Sequence, residues 1–140
     1  MNCRLLYLVG QLGLGGLERQ LFCLIEAMDR GRYQPVVAVW GNAPNDHYGP
    51  LLRVLDITVV ALGTKPTRSE KLQALRSLVS DLRPEVIHSY SFYTNILAWL
   101  AAQGSTAIPI GAVQSSFIAE RQNNWKLLGK ISARWPRAQI

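Results

Sequence analysis

The sequence predicts an α/β domain in which a mostly parallel sheet lies between two layers of helices. Short, almost continuously apolar segments alternate along the chain with segments of helical periodicity, and strands buried on both faces of a parallel sheet have that apolar pattern. Connections of helix length between such strands give right-handed crossovers and place helices on both faces. With 140 residues, 49% of them hydrophobic and 17% charged, we expect one domain with a substantial core.

Six apolar segments are predicted strands. They are Cys3 to Val9, Pro35 to Trp40, Ile57 to Leu62, Val86 to Ser89, Ile108 to Val113 and the residues that follow Pro136. The sixth is cut at Ile140, inside the predicted strand, so we expect the domain to be truncated at its carboxyl end.

Five segments between these strands have helical spacing. They are Gly16 to Met28 with Gly31 as a stop, Tyr48 to Leu55, Thr67 to the residue before Pro84, Phe92 to Gln103, and Arg121 to Trp135. In the first, the apolar residues form one stripe made of Leu17, Leu21, Leu24, Ile25 and Met28. Thr67 and Glu70 have the spacing of a capping box at the start of the third.

Composition narrows the classes of partner. A formal charge of +6 favours anionic ligands, but the basic residues are scattered and form no nucleic-acid-binding pattern, so no nucleic acid is expected. Cys3 and Cys23, with only two histidines in the chain, form neither a zinc ligand set nor a disulfide framework. The apolar run at the start is too short for a secretory signal, and the sequence therefore predicts a cytoplasmic protein.

Ligands of parallel α/β sheets bind beyond the carboxyl ends of the strands, near the point where the strand order reverses. Four loops are predicted at that edge and are expected to face one cleft. They are Gly10 to Gly16, Gly41 to Asp46, His88 to Tyr93 and Gln114 to Arg121.

The first of these loops is rich in glycine. It leads into a helix whose N-terminal N–H groups are unpaired, so Gly13, Gly15 and Gly16 are candidates for contact with a phosphate. Alternatively, the glycines only form a tight turn that packs the helix on the strand. A dinucleotide fingerprint would need glycine in place of Glu18 and an acidic residue after Trp40, and both are absent. A free-standing dinucleotide or phosphate-ligand module is therefore the alternative hypothesis.

Two motifs give the chain a resemblance to a known family. Gly15 to Leu21 reads GGLERQL, and Pro84 to Asn95 reads PEVIHSYSFYTN. Together they resemble the amino-terminal domain of GT-B glycosyltransferases of family 4. The resemblance implies a Rossmann-like domain that forms one half of a GT-B fold and lies on the acceptor side of the cleft. The donor-binding domain would be the other half, and it is absent from this sequence.

The resemblance also implies an activity. The complete enzyme would transfer a hexosyl group, with retention of configuration, from a nucleotide-sugar donor to a hydroxyl of a glycan or lipid acceptor, with no metal cofactor. The 140-residue chain is expected to be inactive without the second domain, which could also be a separate partner chain.

By the same resemblance, particular residues acquire expected roles. Gly15 and Gly16 would approach the donor diphosphate or the transferred sugar. His88 matches the first histidine of the family's H-x-H motif and is the catalytic candidate, although a histidine ending a buried strand is also often structural. Hydroxyls of the acceptor would bind Tyr90, Ser91, Tyr93, Asn95 and Gln114.

The last predicted helix is amphipathic and basic. Lys126, Lys130 and Arg134 share one of its faces, beside an apolar stripe that includes Trp125 and Trp135. Such a helix could contact the inner face of a membrane, as a lipid acceptor would require. The commoner arrangement of such a helix is to pack its tryptophans on the sheet and leave the basic face in solvent.

Overall fold

The computed structural model describes residues 2–41, 45–112 and 138–139. In that part of the chain six parallel strands form one sheet in the order β3-β2-β1-β4-β5-β6. The strands are β1 Cys3–Val9, β2 Tyr33–Val39, β3 Thr58–Ala61, β4 Val86–Ser89, β5 Ile108–Gly111 and β6 Ala138–Gln139. The order reverses between β1 and β4, which therefore form the switch point of the sheet.

Helices cover both faces of the sheet, as predicted. The described helices are α1 Gly16–Glu26, α2 Tyr48–Val54, α3 Arg68–Leu82 and α4 Asn95–Ala102, with short 3-10 turns at Leu62–Thr64 and Phe92–Thr94. One core cluster joins α1 and α2 to the sheet and includes Tyr7, Leu21 and Leu52. The other joins α3 and α4 to the opposite face. Alternate residues of β1 enter different clusters, which is the pattern of a strand buried on both sides.

The first helix is shorter than the sequence predicted. It ends at Glu26, and Leu24, which was predicted on the buried stripe, is 42% exposed. Side chains after the helix explain the early end. The guanidinium of Arg30 donates to the carbonyl of Ile25 at 3.0 Å, and the carboxylate of Asp29 accepts from the N–H of Gly31 at 2.9 Å. These bonds stabilise a turn after Glu26, where the spacing of apolar residues predicted that the helix would continue to Met28.

The third helix has the predicted cap, and the fourth starts later than predicted. The hydroxyl of Thr67 accepts from the N–H of Glu70 at 3.2 Å. Before α4, the segment from Phe92 to Thr94 is a 3-10 turn. The N–H of Thr94 donates to the carbonyl of Ser91 at 3.0 Å, and the Thr94 hydroxyl donates to the same carbonyl at 2.8 Å.

Several predicted features lie partly or wholly outside the described residues. They are the amphipathic helix from Arg121 to Trp135, the end of the fifth predicted strand at Val113, the loop from Gln114 to Arg121, and residues 42–44 of the loop from Gly41 to Asp46. The strand predicted after Pro136 is confirmed at Ala138–Gln139, which pairs in parallel with β5. No helix within the described ranges is long and apolar enough to cross a membrane.

Asn95 ties the start of α4 to the end of β5. Its side chain is 0% exposed; its amide nitrogen donates to the carbonyl of Ala112, and its amide oxygen accepts from the N–H of the same residue, both at 3.1 Å. Buried backbone groups that lose their partners are costly, since they pay desolvation without compensation.

We therefore expect Asn95→Ala to lower the free energy of unfolding by about 2 to 4 kcal/mol. Urea denaturation followed by circular dichroism measures this change. Gln103→Ala is the matched control, because the Gln103 amide donates to the carbonyl of Trp99 at an exposed position, and it should change stability by less than about 0.5 kcal/mol. Equal effects of the two substitutions would contradict the assignment.

Candidate functional site

The loops that follow β1 and β2 are bonded to each other at the carboxyl edge of the sheet. The carbonyl of Gly10 accepts from the N–H of Gly41 at 2.8 Å. Further along, the carbonyl of Leu12 accepts from the N–H groups of both His47 and Tyr48 at 2.9 Å. The first glycine loop is thus fixed against the start of α2.

The loop that follows β4 reaches the same place. A Cβ on Gly10 would collide with the hydroxyl of Tyr93, so this phenol lies directly over the end of β1. A Cβ on Gly41 would in turn meet the carbonyl oxygen of Gly10. Three of the four predicted loops therefore meet at one edge, and the fourth, Gln114 to Arg121, lies outside the described residues.

The glycines of the first loop provide space rather than unusual backbone conformations. Among the described glycines only Gly104 has a positive φ. Gly15 is the extended N-cap of α1, and a Cβ there would collide with the carboxylate of Glu18. Gly13 is buried beside the carbonyl of Asn45, whereas Gly16 is exposed with open space around it. Contact of Gly13, Gly15 and Gly16 with a donor phosphate stays a prediction.

His88 lies in a cluster of aromatic rings on the α1 side of the sheet. Its ring centroid is 5.4 Å from that of Tyr7 and 5.2 Å from that of Tyr90. Tyr7 and His88 are direct neighbours in the register of β1 and β4, which is why the two rings meet. The sequence analysis missed Tyr7, although it lies on a strand predicted to be buried and central.

Burial dominates the electrostatics of this cluster. It lowers the pKa of His88 below its ordinary value of 6.5, so the imidazole is neutral at pH 7. It raises the pKa of Tyr7 to about 12, and it also raises the pKa of Tyr90. Within the described ranges the three side chains have no hydrogen-bond partner, although both tyrosines are only 4% exposed. Their polar atoms therefore keep hydrogen-bonding capacity that the described residues do not use.

The residues predicted to bind an acceptor fall into different environments. Tyr93 is 49% exposed. The pKa of its phenol is raised, mainly by the burial of part of the side chain. A hydrogen bond with the Ser91 side chain lowers this pKa, and the charge of Glu18 raises it. The Ser91 carbonyl is occupied, because it accepts from the hydroxyls of Ser89 and Thr94 at 3.0 and 2.8 Å. Its side chain and the phenol of Tyr93 are placed at the edge where the loops meet.

Two members of the predicted acceptor set differ from the others. A ligand hydroxyl would have to compete for Asn95 with the two bonds to Ala112. Gln114 lies outside the described residues.

Glu18 is a candidate that the sequence analysis did not select. It is 8% exposed and occupies the first turn of α1, and its carboxylate lies against Gly15. A signal was present in the sequence, since Glu18 falls on the same helical stripe as the buried Leu21 and Ile25. A carboxylate in line with core residues is unusual and indicates a specific role.

No group of three His, Cys, Asp or Glu side chains within the described ranges could hold a metal ion. The chemistry of this edge comes instead from neutral imidazole and phenol groups, one carboxylate and backbone N–H groups. These are the groups that bind hydroxyls and phosphates.

Comparison with protein families identifies the chain. The model of the glycosyl transferase 4-like domain matches residues 15–135. The chain belongs to this family. The match begins at Gly15 and includes Gly41, His88 and the loop that follows β4, so it covers much of the edge described above, whereas β1 and Gly10 precede it. No curated protein matches the sequence closely enough to add a relative.

Solved structures with the same fold include GT-B glycosyltransferases. HepE of Anabaena, in complex with UDP-glucose, has a TM-score of 0.74 and 14% identity, over 98% of this chain and 36% of HepE. The lipopolysaccharide outer core galactosyltransferase WaaB has a TM-score of 0.59 and 12% identity, over 77% of this chain and 32% of WaaB. The predicted Rossmann-like fold is confirmed, and the chain spans about a third of each of these proteins.

A third structure has the same fold with a different activity. The UDP-GlcNAc 2-epimerase from Methanocaldococcus jannaschii has a TM-score of 0.58 and 9% identity, over 98% of this chain and 38% of the epimerase. The fold alone therefore does not separate a transferase from an epimerase, and the family match makes that distinction.

The buried environment of His88 predicts a pH dependence of stability. The unfolded chain binds a proton at His88 near pH 6.5, whereas the folded chain binds it only at lower pH, because burial lowers the pKa. Stability from this group is therefore complete above pH 6.5 and is lost as the pH falls through the folded pKa.

NMR titration of the imidazole signals should give a midpoint for His88 below 6.5. His88→Gln should make the stability, measured by urea denaturation, less dependent on pH between 5 and 7, a range set by the ordinary pKa of about 6.5. His47→Gln, which changes an exposed histidine, is the control and should leave the His88 midpoint unchanged. A midpoint for His88 at or above 6.5 would show that the imidazole is not desolvated.

Proposed function

We propose that this domain binds the hydroxyl acceptor of a glycosyl transfer and presents it to a nucleotide-sugar donor that is held mainly by a second domain. The acceptor is a glycan or a lipid-linked hydroxyl, the transferred group is a hexosyl unit, and its anomeric configuration is retained. The observation that carries the proposal is the meeting of three loops at the switch point of a glycosyl transferase 4-like domain. Beside them, Tyr7, His88 and Tyr90 have no hydrogen-bond partner among the described residues.

His88 is suited to contact the reacting sugar. As a neutral imidazole it can accept a hydrogen bond from one hydroxyl and donate one to another, and it brings no charge that would need compensation. Tyr7 and Tyr90 hold the ring from two sides at 5.4 and 5.2 Å, so its position is fixed before a ligand arrives. Such fixed geometry lowers the entropy cost of aligning a substrate.

Tyr90, Ser91 and Tyr93 follow β4 and present hydroxyls beside His88 or over Gly10. A hydroxyl group both donates and accepts, which suits the similar groups of a sugar acceptor. On the donor side, the first turn of α1 offers backbone N–H groups without helical partners. At Gly15 and Gly16 they would face either the transferred sugar or the donor diphosphate.

The family match favours transfer over the epimerase chemistry of the third neighbour. In this proposal the donor-binding half is supplied by a second domain, because the chain covers only 32% to 38% of these structures. We further propose a cytoplasmic reaction that needs no metal ion, with contact to the inner membrane face when the acceptor is a lipid.

The proposed function predicts that turnover depends on the second domain. The 140-residue chain incubated with UDP-glucose and a panel of neutral glycosides should release no UDP, whereas the chain joined to its donor-binding domain should release UDP and form a glycoside. A coupled UDP assay with chromatography of the products, run with and without EDTA, measures both. Turnover by the isolated chain would refute the need for a second, donor-binding domain. If the joined protein transferred no sugar from UDP-glucose or any other nucleotide sugar, the proposed function would be refuted.

In the joined protein, His88→Gln should lower kcat by about a hundredfold, which is the lower range for loss of one positioned catalytic group. The control is His47→Gln, since His47 is exposed at the start of α2, and it should retain activity. A His88→Gln protein with unchanged kcat would assign His88 a structural role.

A further inference from the structure

We infer that Tyr7 is a positioning residue for the transfer, because its ring holds the imidazole of His88 in one orientation and keeps water from the buried side of that imidazole. This role rests on the proposed function for the reaction. It goes further by separating Tyr7 from Tyr90 and by linking a residue inside β1 to the pH dependence of transfer. Strand register, the arrangement of three rings and burial support it.

The register of the sheet places the core on one side of Tyr7 and His88 on the other. Tyr7 pairs with Val37 on β2 and with His88 on β4, and paired residues of parallel strands face the same side of the sheet. Val37 is 0% exposed and Tyr7 is 4% exposed, whereas His88 is only partly buried. A ligand at the carboxyl edge therefore reaches His88 first, and Tyr7 acts through it.

Three rings form a closed triangle around the imidazole. The centroid of His88 is 5.4 Å from that of Tyr7 and 5.2 Å from that of Tyr90. The two tyrosine rings are 6.0 Å apart and meet edge to face. Aromatic rings at such separations attract each other and prefer defined relative orientations. A rotation of the imidazole out of this triangle would lose both contacts, so its orientation is fixed.

The two tyrosines differ in what else they do. Tyr90 follows β4, and its phenol belongs to the set that is expected to bind the acceptor. Tyr7 lies inside β1 and is part of the core cluster that includes Leu21 and Ile25. A substitution at Tyr7 therefore changes the support of His88 without removing a group that the acceptor is expected to touch.

Burial controls the charge of this triangle. It raises the pKa of Tyr7 to about 12 and that of Tyr90 above its ordinary value, so both phenols are neutral at pH 7. From β5, the neighbour of His88 is Ile110, which carries no charge. Burial is the sole cause of the lowered pKa of His88, and the charge of Glu18 on α1 does not contribute to it. The exclusion of water is therefore the property that Tyr7 can change.

Loss of the Tyr7 ring would admit water to the imidazole. The space left behind would be lined by the imidazole and by Tyr90, and a polar space of that kind can hold water. Hydration favours the charged imidazolium, so the midpoint of His88 would rise toward 6.5. Because the proposed transfer uses the neutral imidazole, activity would then be lost at a higher pH as the solution is acidified.

The substitution Tyr7→Val removes the ring and keeps a residue that strands favour. NMR titration of the isolated 140-residue chain should give a His88 midpoint higher than in the wild type by about 0.5 or more. In the joined protein, the low-pH limb of the kcat profile should move in the same direction. At about pH 8, where the imidazole is neutral in both proteins, kcat should fall by about tenfold with little change in KM, because the imidazole is no longer aligned.

Tyr48→Val is the matched control. Tyr48 belongs to the same core cluster and is 9% exposed, but its ring contacts Phe22 and His47 instead of His88. This variant should lower stability to urea, as Tyr7→Val does, and should leave the His88 midpoint and the kcat profile unchanged. A general loss of core packing would move the midpoint in both variants equally.

A second variant separates the ring from its hydroxyl. The Tyr7 hydroxyl is buried and has no partner among the described residues. Tyr7→Phe should therefore keep the His88 midpoint and kcat, and it should be at least as stable to urea as the wild type. If Tyr7→Val does not fold, Tyr7→Leu fills more of the space and should change the midpoint and kcat in the same directions.

Three results would each overturn the role of Tyr7. They are an unchanged His88 midpoint or an unchanged kcat in a folded protein that lacks the Tyr7 ring, an equal change of midpoint in Tyr48→Val, and a loss of activity in Tyr7→Phe. The last of these would assign the effect to the hydroxyl instead of the ring.

Failure of this role is distinguishable from failure of the proposed function. The NMR titrations need no second domain and no donor. Transfer by the joined wild-type protein, with an unchanged His88 midpoint in Tyr7→Val, would keep the function and reject the role of Tyr7. A raised midpoint in Tyr7→Val, with no transfer by the joined wild-type protein, would keep the contact between the rings and reject the function.

Discussion

The structure depends on the lack of a side chain at Gly10, where β1 ends. This residue is buried, its carbonyl accepts from Gly41, and the hydroxyl of Tyr93 lies where a Cβ would be. The loops after three neighbouring strands thus touch at one backbone position. A larger residue there would displace the ring of Tyr93, and its hydroxyl would leave the place where the loops meet.

The register of β1 and β4 then determines the chemistry of the site. Because the strands are parallel and adjacent, Tyr7 lies directly beside His88, and Tyr90 follows at the end of β4. The same packing that positions the three rings also removes them from water. Burial therefore lowers the pKa of His88, which keeps the imidazole neutral at pH 7, and raises the pKa of both phenols. Position and protonation state therefore have a common cause. A site of this kind offers hydrogen bonds rather than net charge, even though the whole chain carries a formal charge of +6.

The sequence predicted the architecture well, because buried parallel strands and amphipathic helices have distinct patterns of apolar residues. It was less accurate where side chains override the pattern. Asp29 and Arg30 end α1 before the stripe does, and Thr94 replaces the predicted start of α4 with a 3-10 turn. The site was predicted only as a set of loops. Which side chains meet depends on the strand order and register, so Tyr7 was not selected, although its strand was.

Glu18 shows that a glycine in a motif at the start of a helix can serve the packing of its own chain. Gly15 is the extended N-cap of α1, and a Cβ there would collide with the carboxylate of Glu18, so the glycine makes room for this side chain. In α3 the N-cap is Thr67, whose hydroxyl accepts from the N–H of Glu70, and Glu70 is exposed. The third position of the helix is thus buried in α1 and exposed in α3, and the space that Gly15 leaves is what admits the carboxylate in α1.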